Sequence, residues 1–279
     1  MNITGSIESA EKRYKQILEE FFVSVYPEKL LPSHGIDHHR RVWSYSKELL
    51  LAIRLEAPDK ISSLPPELII ACYLHDIGMS FDPGVKHGKN SRNLCVRFLI
   101  QNNLQETDYQ NVLEAIEYHD NKNYDNKRPF DDLLTILSVS DDLDAFGFIG
   151  IFRYSDIYLR RGVGNGNIGS LIMENAKKRF DNFVNYFGAV DEFIQQHKTR
   201  YKILDNFFSK YNEQLSSYHF GTTTPSGFCG VIEAFGYILK NNLQLKDFFI
   251  DQKKYFDDPV IRWYFNELAS ELLIKHTVL

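Results

Sequence analysis

Two histidines and two aspartates, far apart in the sequence, have the types and surroundings needed to hold a divalent metal ion. They are His38, the adjacent pair His75 and Asp76, and Asp141. Each lies among apolar residues on the inward face of a predicted helix. Burying four such groups without a cation or a mutual pairing would cost several kcal/mol, and a bound cation supplies the missing compensation.

This donor set favours catalysis over structural support. Imidazole nitrogen and carboxylate oxygen are good ligands for Mn, Fe, Ni, Mg or Zn, and four such ligands leave coordination positions open for water and substrate. A cation held in this way lowers the pKa of water and polarises a phosphoryl oxygen, which suits the hydrolysis of phosphate esters. The wide spacing of the ligands excludes a zinc-finger loop and requires a folded bundle.

The elements that must position these residues are predicted to be helices. Asp37 is expected to cap a helix that runs to about Glu56, with His38 on its inward stripe. Residues 66–78 predict a helix that is apolar nearly all round, as in the centre of a bundle, and His75 and Asp76 stand near its end.

The fourth ligand candidate and the rest of the chain continue this helical pattern. Asp141 lies on the apolar stripe of a helix expected to start near 131 and to end at Gly147. No convincing strand-like alternation follows. We predict an all-α fold, with a helical core over 1–165 and a C-terminal helical extension over 166–279, and a loop at the glycine-rich stretch 164–169.

The charge balance limits the kinds of partner. The chain has 279 residues, with 32 Lys and Arg against 37 Asp and Glu, so its net charge of -5 gives no general field for nucleic acid. We therefore expect no extended nucleic-acid surface. A small phosphorylated substrate, nucleotides included, would have to meet a local basic patch.

Cysteine usage and hydropathy bear on the compartment. The cysteines are Cys72, Cys95 and Cys229, an odd number without a CxxC pair, which is typical of reduced buried thiols in an intracellular chain. The first fifteen residues contain no apolar leader, and no stretch approaches the roughly 18 uncharged apolar residues of a membrane span. The protein is predicted to be cytoplasmic, without a membrane contact.

Three segments resemble the ligand-bearing motifs of one known family. DHHRRV (37–42), LHDIG (74–78) and SDDLDAFG (140–147) are similar, in order, to those of the HD-domain metal-dependent phosphohydrolase superfamily. The resemblance covers roughly residues 20–160 and implies an HD-domain helical bundle. It makes His38, His75, Asp76 and Asp141 the primary metal ligands, with Asp76 bridging if two ions bind.

The same resemblance adds two histidines. HD proteins with two metals often carry extra histidine ligands between the HD pair and the last aspartate, where this chain has His87 and His119. These would hold a second cation, and the alternative is that they are ordinary helix-terminus histidines. Asp120 is a weaker candidate, because it follows the apolar stripe of His119 instead of sharing it.

Four further residues surround the predicted ligands. His39 is expected to face solvent, and His34 to be a loop residue that could support the ligands. Arg41 matches the family's arginine in this helix and is expected to pair with a carboxylate of the bundle. Asp144 is expected to orient a ligand imidazole, with acceptance of a proton from water as the alternative.

Phosphate recognition requires cations near the metal. The candidates are Lys86, Lys89, Lys122 and Arg153, the last of which resembles an arginine found in several bacterial HD hydrolases. The predicted catalytic set is therefore Asp76, Asp144, Lys86 and Arg153.

The sequence predicts a metal-dependent hydrolase of phosphomonoesters, phosphodiesters or nucleotides, with one or two divalent ions. One alternative is an HD-type diiron oxygenase, and another is a non-catalytic module that binds a nucleotide or a partner. The residues after His119 lack the GYP motif of the cyclic-di-GMP phosphodiesterase branch, which argues against that substrate. The aromatic content of 14% leaves a homo-oligomer open.

Overall fold

The computed structural model describes residues 2–26, 31–81, 84, 86–121, 124, 128–221, 224–243, 245, 248 and 257–277. Over these residues the protein is all-α and contains no strand, as the sequence predicts. The α-helices are α1 (Ile3–Ala10), α2 (Gln16–Val25), α3 (Ile36–Ala52), α4 (Pro58–Ser63), α5 (Pro65–Leu74), α6 (His87–Gln101), α7 (Gln110–Tyr118), α8 (Leu133–Asp144), α9 (Gly147–Arg160), α10 (Asn165–Phe187), α11 (Asp191–Gln214), α12 (Gly227–Lys240) and α13 (Pro259–Thr277).

The chain forms two compact units, each assembled from separate stretches of sequence. The first unit contains Met1–Leu30, His34–Asp144 and Asp181–Ile194. The second unit contains Leu31–Ser33, Ala145–Phe180 and Gln195–Leu279. The chain thus passes between units after Asp144, whereas the domain boundary near 165 stays a prediction.

Helix α5 is the central helix of the first unit. Two prolines begin it, where their missing N–H groups need no helical partner. Every residue from Leu68 to Leu74 is fully buried, and the helix packs against α3, α7 and α8. The prediction of a central helix without a polar face is confirmed.

Helix α3 lies beside α5 and α8 and begins two residues earlier than predicted. Gly35 is its N-cap, so the prediction that Asp37 caps the helix is wrong. Asp37 instead lies in the first turn, where a carboxylate interacts favourably with the helix dipole, and accepts a hydrogen bond of 3.0 Å from Arg40.

Helix α8 carries the last predicted ligand and is shorter than predicted. Its start near Asp132 is confirmed, because that carboxylate accepts the backbone N–H of Leu134 at 3.0 Å. It ends at Asp144, and Gly147 begins α9 with φ of +74° instead of ending α8. The glycine-rich stretch predicted as a loop is also largely helical, since α10 starts at Asn165.

The second unit has a core built largely from aromatic side chains. Helix α9 packs against α12 and α13. The rings of Phe235 and Tyr264 meet edge to face with centroids 5.6 Å apart, and the Tyr264 hydroxyl donates to the carbonyl of Phe148 at 3.0 Å. These aromatic stripes serve packing, which is their ordinary role in helices.

Membrane insertion has no helical candidate in the described part of the chain. None of the helices there is both long enough and apolar enough to cross a bilayer.

Candidate metal centre

The first unit brings all six predicted ligands together in its interior. The donor atoms of His38, His75, Asp76 and Asp141 all lie within 4.8 Å of one another. A second set within the same limit joins Asp76 to His87 and His119. No ligand residue is more than 3% exposed, so each donor atom depends on its neighbours for a polar partner.

The ligands stand at or near the ends of five helices. His38 lies in the first turn of α3, and His87 is the first residue of α6. His75 and His119 directly follow α5 and α7. Because helices that pack side by side bring their ends together, side chains as far apart in the sequence as His38 and Asp141 meet in one cluster.

One carboxylate oxygen of Asp76 faces the first pair of histidines. Its Oδ2 lies 3.5 Å from Nε2 of His38 and 3.5 Å from Nε2 of His75. Asp141 Oδ1 closes this group, at 3.8 Å and 3.9 Å from the same two nitrogens. Adjacent ligands of one Zn ion in a tetrahedral site lie about 3.3 Å apart, so these separations need little adjustment.

The other carboxylate oxygen of Asp76 faces the second pair of histidines. Its Oδ1 lies 3.0 Å from Nε2 of His119 and 3.4 Å from Nε2 of His87. The two oxygens of one carboxylate thus point to two different groups of imidazoles. A bridging role for Asp76 between two cations stays a prediction, and this placement of its two oxygens is compatible with it.

Backbone carbonyls fix the tautomer of three of the imidazoles. The Nδ1 atoms of His75, His87 and His119 lie 2.9, 2.7 and 2.7 Å from the carbonyl oxygens of Cys72, Gly84 and Ile116. A carbonyl only accepts hydrogen bonds, so each Nδ1 must carry the proton. The Nε2 atom of each neutral ring therefore presents a lone pair to the cluster.

Asp144 does the same for the fourth imidazole. Its Oδ2 lies 2.8 Å from Nδ1 of His38. Arg41 holds the carboxylate with two hydrogen bonds, from Nε at 2.7 Å to Oδ1 and from Nη2 at 3.0 Å to Oδ2. Burial lowers the pKa of Arg41, but the Asp144 carboxylate outweighs it and the net shift is upward. Arg41 therefore pairs with a carboxylate as expected, and Asp144 has the contacts of a residue that orients His38.

These contacts leave the donor atoms suited to a divalent cation. With Nδ1 protonated, the Nε2 lone pairs of His38 and His75 face each other at 3.1 Å, an unfavourable contact that a cation between them would relieve. Nε2 of His87 is buried and makes no hydrogen bond, although buried polar atoms almost always have a partner. The residues present therefore fit a bound metal.

The pKa values of the cluster show how it is charged without a metal. Burial lowers the pKa of His75 to about 3, so this ring is neutral. Burial opposes the charged form of Asp76, yet the neighbouring imidazoles of His75, His119 and His38 bring its pKa well below the usual range. Burial also opposes the charge of His119, but its hydrogen bond to Asp76 raises the pKa above the ordinary value.

One residue beside the ligands was placed wrongly by the sequence. His39 was expected to face solvent, but it is fully buried, and its Nδ1 donates to the carbonyl of Cys72 at 3.1 Å. Its ring packs on Phe22 with centroids 4.6 Å apart. The reason is that α3 packs against α1, α2, α5 and α8 and so has more than one buried face.

His34, predicted as a loop residue that could support the ligands, lies close to one of them. It ends a short 3-10 turn, is buried, and places Nε2 3.9 Å from Oδ2 of Asp76. Asp120 Oδ2 lies 3.7 Å from Nε2 of His87, with its side chain 41% exposed. For both residues, a part in supporting or binding a metal stays a prediction.

The predicted phosphate-binding cations are dispersed. Lys86 and Lys89 are exposed, at the position before His87 and in the first turn of α6. Arg153 is buried on α9 in the second unit. Lys122 lies outside the described residues. The roles of these cations stay predictions.

Comparison with known proteins identifies this unit's fold family. Residues 35–145 match the HD domain family, and this range contains all six clustered ligands. A search of curated proteins found no match, and neither did a search of solved structures. Residues 35–145 of the chain therefore form an HD domain, the domain of the HD-domain metal-dependent phosphohydrolase superfamily.

Proposed function

We propose that the protein hydrolyses phosphate esters with two divalent cations held by His38, His75, Asp76, His87, His119 and Asp141. The observation that carries this proposal is the convergence of four Nε2 atoms on the two oxygens of one buried aspartate. A cation bound there supplies an activated water at neutral pH and polarises the phosphoryl oxygen.

The protein's own residues contribute orientation and a dry environment. The carbonyls behind His75, His87 and His119 hold these rings with Nε2 toward the cluster, and Asp144 does so for His38. Preorganised donors of this kind need no rearrangement when substrate arrives. Lys86, beside His87, completes the proposal as the group that holds phosphate oxygens, and the catalytic role of Arg153 stays a prediction of the sequence.

The experiment is a metal and substrate matrix. The chelator-treated protein is reloaded with Mn, Mg, Fe, Ni or Zn and assayed on phosphomonoesters, phosphodiesters and nucleotides. We expect at least one metal to restore turnover in the parent and in the control Asp37→Ala, but not in Asp76→Ala. Absence of turnover in the parent with every metal and substrate class would contradict the proposal.

A diiron oxygenase is the second candidate, because four imidazoles and two carboxylates also suit iron. Protein purified without added metal would then contain two irons per chain and give a mixed-valence signal in electron paramagnetic resonance, with no phosphatase activity. Tight nucleotide binding in calorimetry without product would indicate a non-catalytic module instead.

A further inference from the structure

The two halves of the metal centre differ in the carboxylates that face them. The first half consists of two imidazoles and two carboxylates, those of His38, His75, Asp76 and Asp141. The second half consists of the imidazoles of His87 and His119 with the other oxygen of Asp76. Within these two sets, the second half therefore has no carboxylate of its own. Because imidazoles are neutral when they ligate a metal, the second set offers a cation less negative charge than the first.

Asp120 is a carboxylate at the edge of the second half. Its Oδ2 lies 3.7 Å from Nε2 of His87, and Oδ1 of Asp76 lies 3.4 Å from the same nitrogen. The carbonyl of Gly84 keeps the proton of His87 on Nδ1, so Nε2 presents its lone pair to two carboxylates. The ring is 2% exposed, and this nitrogen makes no hydrogen bond to any described residue. A cation would give the nitrogen its partner and would attract both carboxylates.

The approach of Asp120 to His87 is set by the packing of two helices. Gly88, the residue after His87, lies so close to the end of α7 that a Cβ added to it would be 2.5 Å from the carbonyl oxygen of Glu117. The first turn of α6 therefore lies with its main chain directly against the last turn of α7. Asp120 follows Glu117 by three residues. The backbone packing, and not only the reach of a side chain, thus places the two residues together.

Asp120 differs from the six clustered ligands in its access to water. Its side chain is 41% exposed, whereas no clustered ligand is more than 3% exposed. It lies outside the two sets whose donor atoms are all within 4.8 Å of one another, but a partly exposed side chain can adopt another rotamer when a cation binds. Its charge already acts on the second half, since burial lowers the pKa of His119 while Asp76 and then Asp120 raise it.

We propose that Asp120 is the second half's own carboxylate and holds the cation there together with Asp76, His87 and His119. The inference rests on the proposed function with two cations, and it adds a seventh residue to the ligands named there. With Asp120, the two halves have the same composition, which is two imidazoles, the shared carboxylate and one further carboxylate. Carboxylate oxygen is a ligand that suits Mn²⁺ and Mg²⁺, so Mn²⁺ is the probe for the test.

The test measures the binding of Mn²⁺ to chelator-treated protein by calorimetry. Asp120→Asn keeps the shape of the side chain but removes its charge, and we expect one of the two ions to bind about 10–100-fold more weakly. Asp120→Glu keeps the charge at a position that is open enough for a longer side chain, so it should recover most of that affinity. Asp108→Asn removes an exposed carboxylate elsewhere in the same unit and is the matched control, which should bind both ions as the parent does.

A second background assigns the effect to one half. His119→Gln should hold an ion in the first half only, so adding Asp120→Asn to it should not change the affinity of the remaining ion. A further loss in that background would overturn the proposal. So would unchanged affinities in Asp120→Asn, an equal loss of both ions, or a parent that binds fewer than two Mn²⁺. If the parent binds two ions, loses one with Asp120→Asn and hydrolyses no phosphate ester, the role of Asp120 is supported and only the proposed hydrolase function fails.

Discussion

The two halves of the metal centre share Asp76 but are held in different ways. In the first half, His38 is oriented by Asp144, which Arg41 in turn holds by two hydrogen bonds. In the second half, the rings of His87 and His119 are oriented by main-chain carbonyls. One of the two rings of the first half, His38, therefore depends on a buried ion pair between side chains, whereas both rings of the second half depend on the main chain.

The halves also differ in what a cation must displace. His75 is neutral because burial lowers its pKa to about 3, so the first half offers a free lone pair. In the second half, the hydrogen bond of 3.0 Å between His119 and Asp76 raises the pKa of this ring, although burial opposes its charge. A cation that binds the second half therefore competes with protonation of His119 more strongly than one in the first half competes with protonation of His75, since metal ligands have to be deprotonated.

The largest expected effect comes from substituting Asp76, the residue that both halves share. Asp76→Asn keeps the shape of the side chain but removes the charge that faces all four imidazoles. We expect the purified variant to contain neither ion by elemental analysis, whereas Asp37→Asn, an exposed carboxylate of α3, should retain both. A full metal content in Asp76→Asn would show that the carboxylate does not bridge.

A change at Asp144 should disrupt the first half, because Asp144 contacts the side of His38 that faces away from the cluster. Asp144→Asn leaves the buried Arg41 guanidinium without a counter-charge, and we expect a loss of about 3–5 kcal/mol in the free energy of unfolding, measured with urea. Metal affinity should fall by about 10–100-fold, because His38 loses the group that fixes its tautomer.

A double variant separates these two effects. Arg41→Met with Asp144→Asn leaves no buried charge unpaired, so stability should largely return while the metal affinity stays low. Recovery of both properties would show that Asp144 does not orient His38.

The second half should be separable from the first. His119→Gln removes an imidazole nitrogen that faces only Oδ1 of Asp76 and so belongs to the second half alone. We therefore expect the metal content to fall from two ions to one per chain. The matched change His219→Gln, at an exposed histidine of the second unit, should leave two. Loss of both ions in His119→Gln would show that the halves assemble as one.

The smallest expected effect is a pH dependence of stability that comes from His39, next to the cluster. Burial, with His38 and His75 adding to it, lowers the pKa of His39 well below its ordinary value. The unfolded chain then binds more protons at any pH between that lowered pKa and about 6.5, so metal-free protein should lose stability as the pH falls through this window.

The variant His39→Phe removes that contribution. It should flatten the decline in urea-measured stability between pH 7 and pH 5 by at most about 1.4 kcal/mol per pH unit. The carbonyl of Cys72 still accepts from His75 in this variant, and His219→Phe is the control. An unchanged slope would show that His39 already titrates as it does in the unfolded chain.

The sequence predicted the helices that carry the ligands better than the surroundings of those ligands. Apolar periodicity identifies a helix and its main buried face, which was enough for α5 and for the placement of Asp141. It did not identify the second buried face of α3 or the burial of His39, because that burial depends on which helices pack alongside. The anchoring carbonyls of Cys72, Gly84 and Ile116 had no signal in the sequence, since every residue has a carbonyl.

The division of the chain could not be predicted for a related reason. A helix pattern carries no information about which compact unit its residues join, so the return of Asp181–Ile194 to the first unit was not foreseen. Arg153 belongs to the second unit by the same division, although its apolar neighbours in the sequence suggested only that it is buried.

The carbonyl anchors have a consequence for how this centre tolerates mutation. A substitution at Cys72, Gly84 or Ile116 changes a side chain but leaves the oxygen that aims the ring behind it. Three of the four imidazoles should therefore keep their orientation when the residues that supply these carbonyls are substituted, provided that the local main-chain conformation is unchanged. Variation near the second half can alter the size and polarity of its walls at little risk to the donor atoms, and that half is the natural starting point for directed evolution of new substrate preferences.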